Sequence, residues 1–296
     1  MRWMQGAVCF LALGTILHAE DSYQLQIKKD RKETQEFLRS EKGPLRLIGR
    51  YTLKEGDSRI GSDPESEIPL PPRAPVKLGT VHRHGRDISF EPAPHVSLSL
   101  NGKPVSGQFA LRPVPSPKPS DRVTAGDFTF SVRPIGDALV LLVTDAQSQF
   151  LKAFKGPTWF RIDAAYRIQA RFQPVASPRN ITVQMTDGNS TTYQIAGELL
   201  FRCADQDLRL QALTSSERKT LFVPFRDETS GKETYGGGRF LEADLPKDGR
   251  TILDFNKAYN PYCAYNPYAI CPVVPRENRL PVAIRAGETL ETNSRH

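Results

Sequence analysis

The chain has 296 residues, 39% of them hydrophobic and 9% aromatic, with a mean hydropathy of -0.44. That is enough apolar material to bury real cores, so a globally disordered chain is excluded, and the length suggests two domains. The net charge of +7, from 40 basic and 33 acidic residues, is spread along the chain. Nucleic-acid binding is therefore not expected, and the charge reads as a solubilising surface, or as a docking face for an anionic cell envelope.

Residues 1–19 read as a secretory signal peptide. Arg2 is the positive end, Ala7 to Leu17 is a short apolar core, and Ala19 offers a small residue before a cut. The expected location is periplasmic or secreted. Residues 20–43 follow as an amphipathic helix in which Tyr23, Ile27, Thr34, Phe37 and Leu38 share a face. Ser22 stands at its start as a cap, and Gly43-Pro44 ends it. So thin an apolar face needs the β domain that follows to cover it.

The 24 prolines and the scarcity of other helix-period stretches point to an all-β protein. From residue 44 to 136 short strands alternate with turn signals, at Leu45–Leu53, Ile68–Leu70, Lys77–Val81, Asp87–Phe90, Val96–Leu100 and Phe128–Val132. Asn101-Gly102 is a two-residue hairpin turn, because both residues tolerate positive φ. Such spacing predicts a small β-sandwich. His82, His84 and His95 lack further ligands at metal-binding spacing, so no metal site is expected. Arg112–Ser120 is proline-rich and reads as an extended, stiff loop.

Residues 137–296 read as a second β domain, an antiparallel barrel or sandwich of consecutive hairpins. Its strands include Ala138–Thr144, Tyr166–Gln173, Asn180–Met185, Thr191–Ile195, Leu199–Cys203, Leu208–Ala212, Lys219–Phe225, Arg239–Ala243 and Thr251–Phe255. Two connections are long for hairpins, 226–238 with its three glycines, and 256–278 with two Asn-Pro-Tyr triplets. The polar residues in and flanking them, Asp227, Glu233, Tyr235, Arg239, Asp254, Asn256, Tyr259, Asn260 and Asn278, are the ligand-binding candidates, if they converge at one end of the barrel. The competing reading is that these groups satisfy the backbone of irregular loops.

No nucleophile elbow, zinc-protease, P-loop or dinucleotide motif occurs, and no cofactor is implied. After signal removal Cys203, Cys263 and Cys271 remain. In an oxidising compartment Cys263 and Cys271 are expected to form a disulfide, contributing roughly 2–3 kcal/mol by chain entropy.

Within 44–136, Arg59–Leu70 and Leu100–Val105 resemble the strand-turn-strand and late hairpin of a forkhead-associated domain. That family grips phosphothreonine with an arginine after the glycine, but here Ser62 follows Gly61. The resemblance implies the scaffold without the phosphopeptide site. Residues Phe154–Phe160, Phe225–Leu241, Leu253–Tyr265 with Cys271-Pro272, and Glu277–Glu288 resemble the bacterial domain-of-unknown-function family 1684, which carries no established activity. Two functions follow as expectations. One is an exported, non-catalytic protein that binds a small polar ligand or makes peripheral contact with the envelope. The other is a hydrolase in which Asp227, Glu233 or Asp254 supplies the acid or base and Tyr235, Arg239 and the asparagines orient substrate. The hydrolase requires a solvent-open carboxylate within reach of Arg239 or Tyr235.

Overall fold

The structure, a computed structural model, describes residues 7–114, 119–215 and 218–290, with side chains given from residue 20 onward except at Pro178. The start of the signal segment and the middle of the proline-rich loop lie outside these residues. The protein is mostly β and divides into two compact units, Glu41–Phe154 and a second made of residues 1–40 with 155–296. Among the described residues no helix is long and apolar enough to cross a membrane.

Among its described residues the unit Glu41–Phe154 has eleven strands, β1 (Leu47–Thr52), β2 (Gly56–Gly61), β3 (Ile68–Pro69), β4 (Gly79–His84), β5 (Asp87–Pro92), β6 (Leu98–Leu100), β7 (Lys103–Val105), β8 (Phe109–Leu111), β9 (Val123–Ala125), β10 (Phe128–Ile135) and β11 (Ala138–Asp145). They form two sheets, ordered β1-β11-β10-β9-β6-β7 and β3-β2-β4-β5-β8. Alternation buries one face of each strand, and Ile60, Val81, Phe90, Phe130, Leu141 and Val143 make the shared core. The Asn101-Gly102 turn has φ of 52° and 81°, as its residue types demand.

One boundary moves. Sequence assigns β11 to the second β region, but it pairs in register with β10 from Ile135↔Ala138 to Phe128↔Asp145, and with β1 on its other side. Pro134–Asp137 is a hairpin turn inside the sandwich, with Gly136 at φ 57°. The unit therefore runs to Phe154.

Where a phosphopeptide arginine would stand, Ser62 Oγ donates to the Ala74 carbonyl at 2.9 Å, and the adjacent Gly61 meets the Val76 backbone. Arg59 is committed to both carboxylate oxygens of Glu67. His82 lies between Asp57 (2.7 Å) and Glu91 (3.3 Å), which draws its pKa upward chiefly through the bond to Asp57. Among the described residues no group of three His, Cys, Asp or Glu is placed to hold a metal ion.

The second unit begins with one long helix, α1 (Ala7–Arg39). Ser22 sits within α1 rather than at its start, and the helix ends at Arg39, before Gly43-Pro44. Ile27 and Leu38 are buried as the periodicity requires. The helix joins the C-terminal strands rather than the β unit next in sequence. Tyr23 donates to Asp254 at 2.8 Å, Lys257 reaches Asp30 at 2.8 Å, and Phe37 packs on Tyr262. Arg31 donates to the Phe160 carbonyl while its guanidinium lies 4.8 Å from the Trp159 ring centre.

After the short helix α2 (Gln149–Ala153), which closes the first unit, come β12 (Arg167–Gln184), β13 (Ser190–Cys203), β14 (Gln206–Thr214), β15 (Thr220–Phe225), β16 (Arg239–Asp244) and β17 (Arg250–Asp254). The sheet order is β16-β15-β14-β13-β12-β17. Thr251 Oγ1 donates to the Asp244 carbonyl at 2.8 Å, linking its two edge strands in a nearly closed, barrel-like sheet. β12 and β13 each fuse two expected strands through a register shift, between Pro174 and Arg179 and between Ile195 and Gly197. Such a bulge lets one strand serve two locally different curvatures. Leu199, Leu210, Val223, Leu241, Leu253 and Phe255 fill the interior. A second apolar cluster holds Phe222, Phe240, Tyr193, Tyr259, Cys263 and Cys271.

Candidate functional site

The two long connections do lie together beside the barrel, but most of the candidate polar side chains point into the protein. Asp227 and Arg239 form an ion pair at 3.2 Å in which both side chains are 0% exposed. Arg239 also donates to the carbonyls of Ile284 (2.8 Å) and Ala286, and its guanidinium packs against Phe225. Asp227 accepts from Thr229 Oγ1 (2.9 Å), Ser230 Oγ (3.1 Å) and the Ile284 N–H (2.7 Å). Burial pushes Arg239 below its ordinary pKa, and the Asp227 charge opposes the shift. The pair holds the C-terminal segment against β16 by its backbone groups.

A second network joins Asp254, Asn256 and Tyr23. The Asp254 carboxylate accepts from Tyr23 and from the Asn256 N–H (3.2 Å). Asn256 donates to the Asp163 carbonyl (2.7 Å) and accepts from the Asp163 N–H (3.0 Å). An asparagine that meets both backbone groups of one residue substitutes for a strand neighbour. Asn278 repeats the device. It accepts from the Gln211 N–H (2.7 Å), donates to the Gln211 carbonyl (2.9 Å), and donates to the Pro224 carbonyl (2.8 Å). Asn260 Nδ2 donates to the Thr289 carbonyl at 3.0 Å, and its N–H donates to buried Glu288 at 2.8 Å.

Glu233 lies elsewhere, on the surface. Arg285 grips its carboxylate in a bidentate pair of 2.9–3.1 Å, which holds its pKa below the usual range. Tyr259 donates to Glu242 at 3.3 Å, and Glu242 also takes Arg218 (2.9 Å) and Thr220 (2.6 Å). Burial drives the Tyr259 pKa upward.

Tyr235 also lies beside the cysteines, its hydroxyl 3.9 Å from Cys263 Sγ. Burial raises it to about 12. Cys263 and Cys271 are free thiols in this structure, where sequence predicts a disulfide. The Cys263 N–H donates to Cys271 Sγ at 3.3 Å, so the pair is adjacent. A hydrogen bond with Cys271 draws Cys263 down to about 7, and the same bond, with burial, drives Cys271 upward. Cys203 lies on β13 away from them.

Two glycines make the packing possible. Gly238 has φ 95°, and a Cβ there would lie 2.6 Å from the Phe225 carbonyl oxygen. Gly287, at φ 80°, would bring a Cβ within 2.6 Å of two carbonyls, those of Phe255 and Ala258. Both serve close backbone approach.

The geometry required of a hydrolase is thus not assembled by these residues. Asp227 reaches Arg239 but is sealed, and Glu233 is open but paired to Arg285. Sequence reasoning missed Glu288, Asp163, Glu242 and Arg218, each of which supplies the far half of a candidate's bonds. Glu288 was visible only as part of a terminal motif. It also missed a surface groove lined by Arg171, Arg202, Arg209 and Arg250. Outward positions of alternating strands were its available signal.

An uncharacterised protein of Haloarcula marismortui, known from a solution NMR structure, is 35% identical. The alignment covers 49% of this chain and 80% of that one, with a TM-score of 0.42. The FhaA FHA domain, crystallised with the intracellular domain of a partner, is 16% identical. It covers 33% of this chain and 94% of that domain, with a TM-score of 0.24. No curated protein matches the chain. The motifs that brace the barrel, from the aromatic turn at Trp159 to the buried Glu288, all fall within residues 152–289, which match the family described as Protein of unknown function (DUF1684), and the chain belongs to that family.

Proposed function

We propose that this chain is an exported, non-catalytic binding protein whose C-terminal unit is a rigid β scaffold for a small polar ligand or an envelope surface. The observation that carries the reading is the enclosure of Asp227, Arg239, Asp254, Asn256 and Asn278 in bonds to the protein's own backbone. Groups spent on loop backbone are not available to orient a substrate. The purified chain is expected to leave chromogenic esters, phosphate esters and glycosides intact. Turnover that disappears in Asp254→Asn or Glu233→Gln would restore the hydrolase. N-terminal sequencing of the exported protein is expected to find a start near Glu20, and an intact Met1 in that material would overturn export by cleavage.

The same reading implies oxidation of Cys263 and Cys271. The Cys263 thiolate attacks a partner disulfide and releases one thiol. Cys271 then displaces the second thiol, leaving an intramolecular disulfide and a reduced partner. Thiol titration of denatured exported protein should find one thiol, Cys203, and three after reduction. Three thiols without reductant would eliminate the bridge.

A further inference from the structure

Across the outer face of the barrel one row of side chains runs β17, β12, β13, β14. Register places Arg250 opposite Arg171, Arg171 opposite Leu200, and Leu200 opposite Arg209. At a strand spacing of ~4.8 Å the row is about 14 Å long. It lies in an open groove of about 700 Å³ with Gln169, Arg202 and Asp207 along one side. Arg250 donates to Gln169 at 3.3 Å, and Arg202 is matched by Asp207 and Asp205. Among the described residues Arg171 and Arg209 have no ion pair, although Glu198 and Asp207 occupy the neighbouring rows. Like charges directly opposite each other destabilise a strand pair, so Arg171 beside Arg250 is a feature that folding alone does not favour.

We propose that this face binds an acidic oligosaccharide, its carboxylates held by Arg171 and Arg209. A guanidinium offers a planar fork that fits a carboxylate with two parallel hydrogen bonds. Forks on either side of Leu200 match a ligand whose charges are separated by an apolar stretch, as the carboxylates of linked sugar acids are separated by ring C–H faces. The Gln169 side chain both donates and accepts, which suits hydroxyl groups. A phosphate chain, charged throughout, would leave Leu200 and Gln169 without complement. A flat anionic membrane would touch the rim of the groove and leave its floor empty. The assignment rests on the non-catalytic binding reading and names its ligand class.

The test is titration calorimetry of the full mature chain with a short oligomer of galacturonic acid. Comparison arms are a neutral galactose oligomer, inorganic tripolyphosphate and phosphatidylglycerol vesicles. The acidic oligomer is expected to bind, to weaken as salt screens the arginines, and to lose about tenfold or more in affinity when Arg171→Ala and Arg209→Ala are combined. The neutral oligomer is expected not to bind. Both arginines are exposed, so the variant should unfold at the wild-type temperature, and Arg171→Gln with Arg209→Gln provides a second variant. The proposal is overturned if the acidic oligomer does not bind, if a folded double variant binds it equally well, or if tripolyphosphate or vesicles bind more tightly through the same arginines. Cleavage of the oligomer by the wild-type chain would instead overturn the non-catalytic reading, leaving the site in place.

Discussion

Replacing Arg239 by methionine is expected to cost the C-terminal unit about 3–5 kcal/mol, the usual penalty for stranding one member of a buried ion pair. The side chain is wholly enclosed and bonds Asp227 together with the carbonyls of Ile284 and Ala286. Without it the buried Asp227 carboxylate loses its counter-charge, and two carbonyls lose a donor. Lysine should rescue little, because one ammonium cannot reproduce a planar fork that faces a carboxylate and successive carbonyls at once. Combining Arg239→Met with Asp227→Leu should recover part of the loss. The uncompensated charge is then gone, though the carbonyls remain unsatisfied. Urea denaturation followed by Trp159 fluorescence reads this unit directly, since Trp159 lies within it. A loss below about 1 kcal/mol would mean that water reaches the pair and that its enclosure is not what organises the C-terminal segment.

Much of the fold was legible because strand alternation and turn chemistry are local. Asn101-Gly102 turns where its residue types allow, with positive φ at both residues. The boundary at Pro134–Asp137 misled because a hairpin turn and a domain linker share the same residues, and only pairing, β11 with β1, distinguishes them. The candidate site was less legible. Sequence placed Asp227 and the asparagines in the right connections, and Asp254 at the end of a strand beside them, but could not show which way they face. They turn inward because a long irregular loop packed on a barrel must pair its buried N–H and C=O groups, and asparagine does this with one side chain. Their partners, Asp163, Gln211 and Pro224, are distant in sequence, so no local pattern reveals them.

Glu288 should make the stability of the C-terminal unit fall as the medium becomes alkaline. Its carboxyl is buried almost completely, and burial raises its pKa from 4.5 to about 8. One oxygen accepts the Asn260 N–H, and the other has no partner. Asn260 Oδ1 is also a buried acceptor without a donor, so a proton on Glu288 adds a donor where two acceptors lack one. With the folded pKa above the unfolded one, the folded state binds the extra proton between these values. The contribution is complete below about pH 4.5 and is lost as pH rises through about 8. Over that window the loss is on the order of 3–5 kcal/mol, because stability falls by about 1.4 kcal/mol for each pH step of one between the two values. Glu288→Gln keeps an oxygen for Asn260 and cannot ionise, so its profile across the window should be flat where the wild type slopes. Denaturant midpoints measured from pH 5 to 9 for both proteins decide the matter. Parallel profiles would show that Glu288 is ionised throughout, with Arg239 close enough to carry its charge.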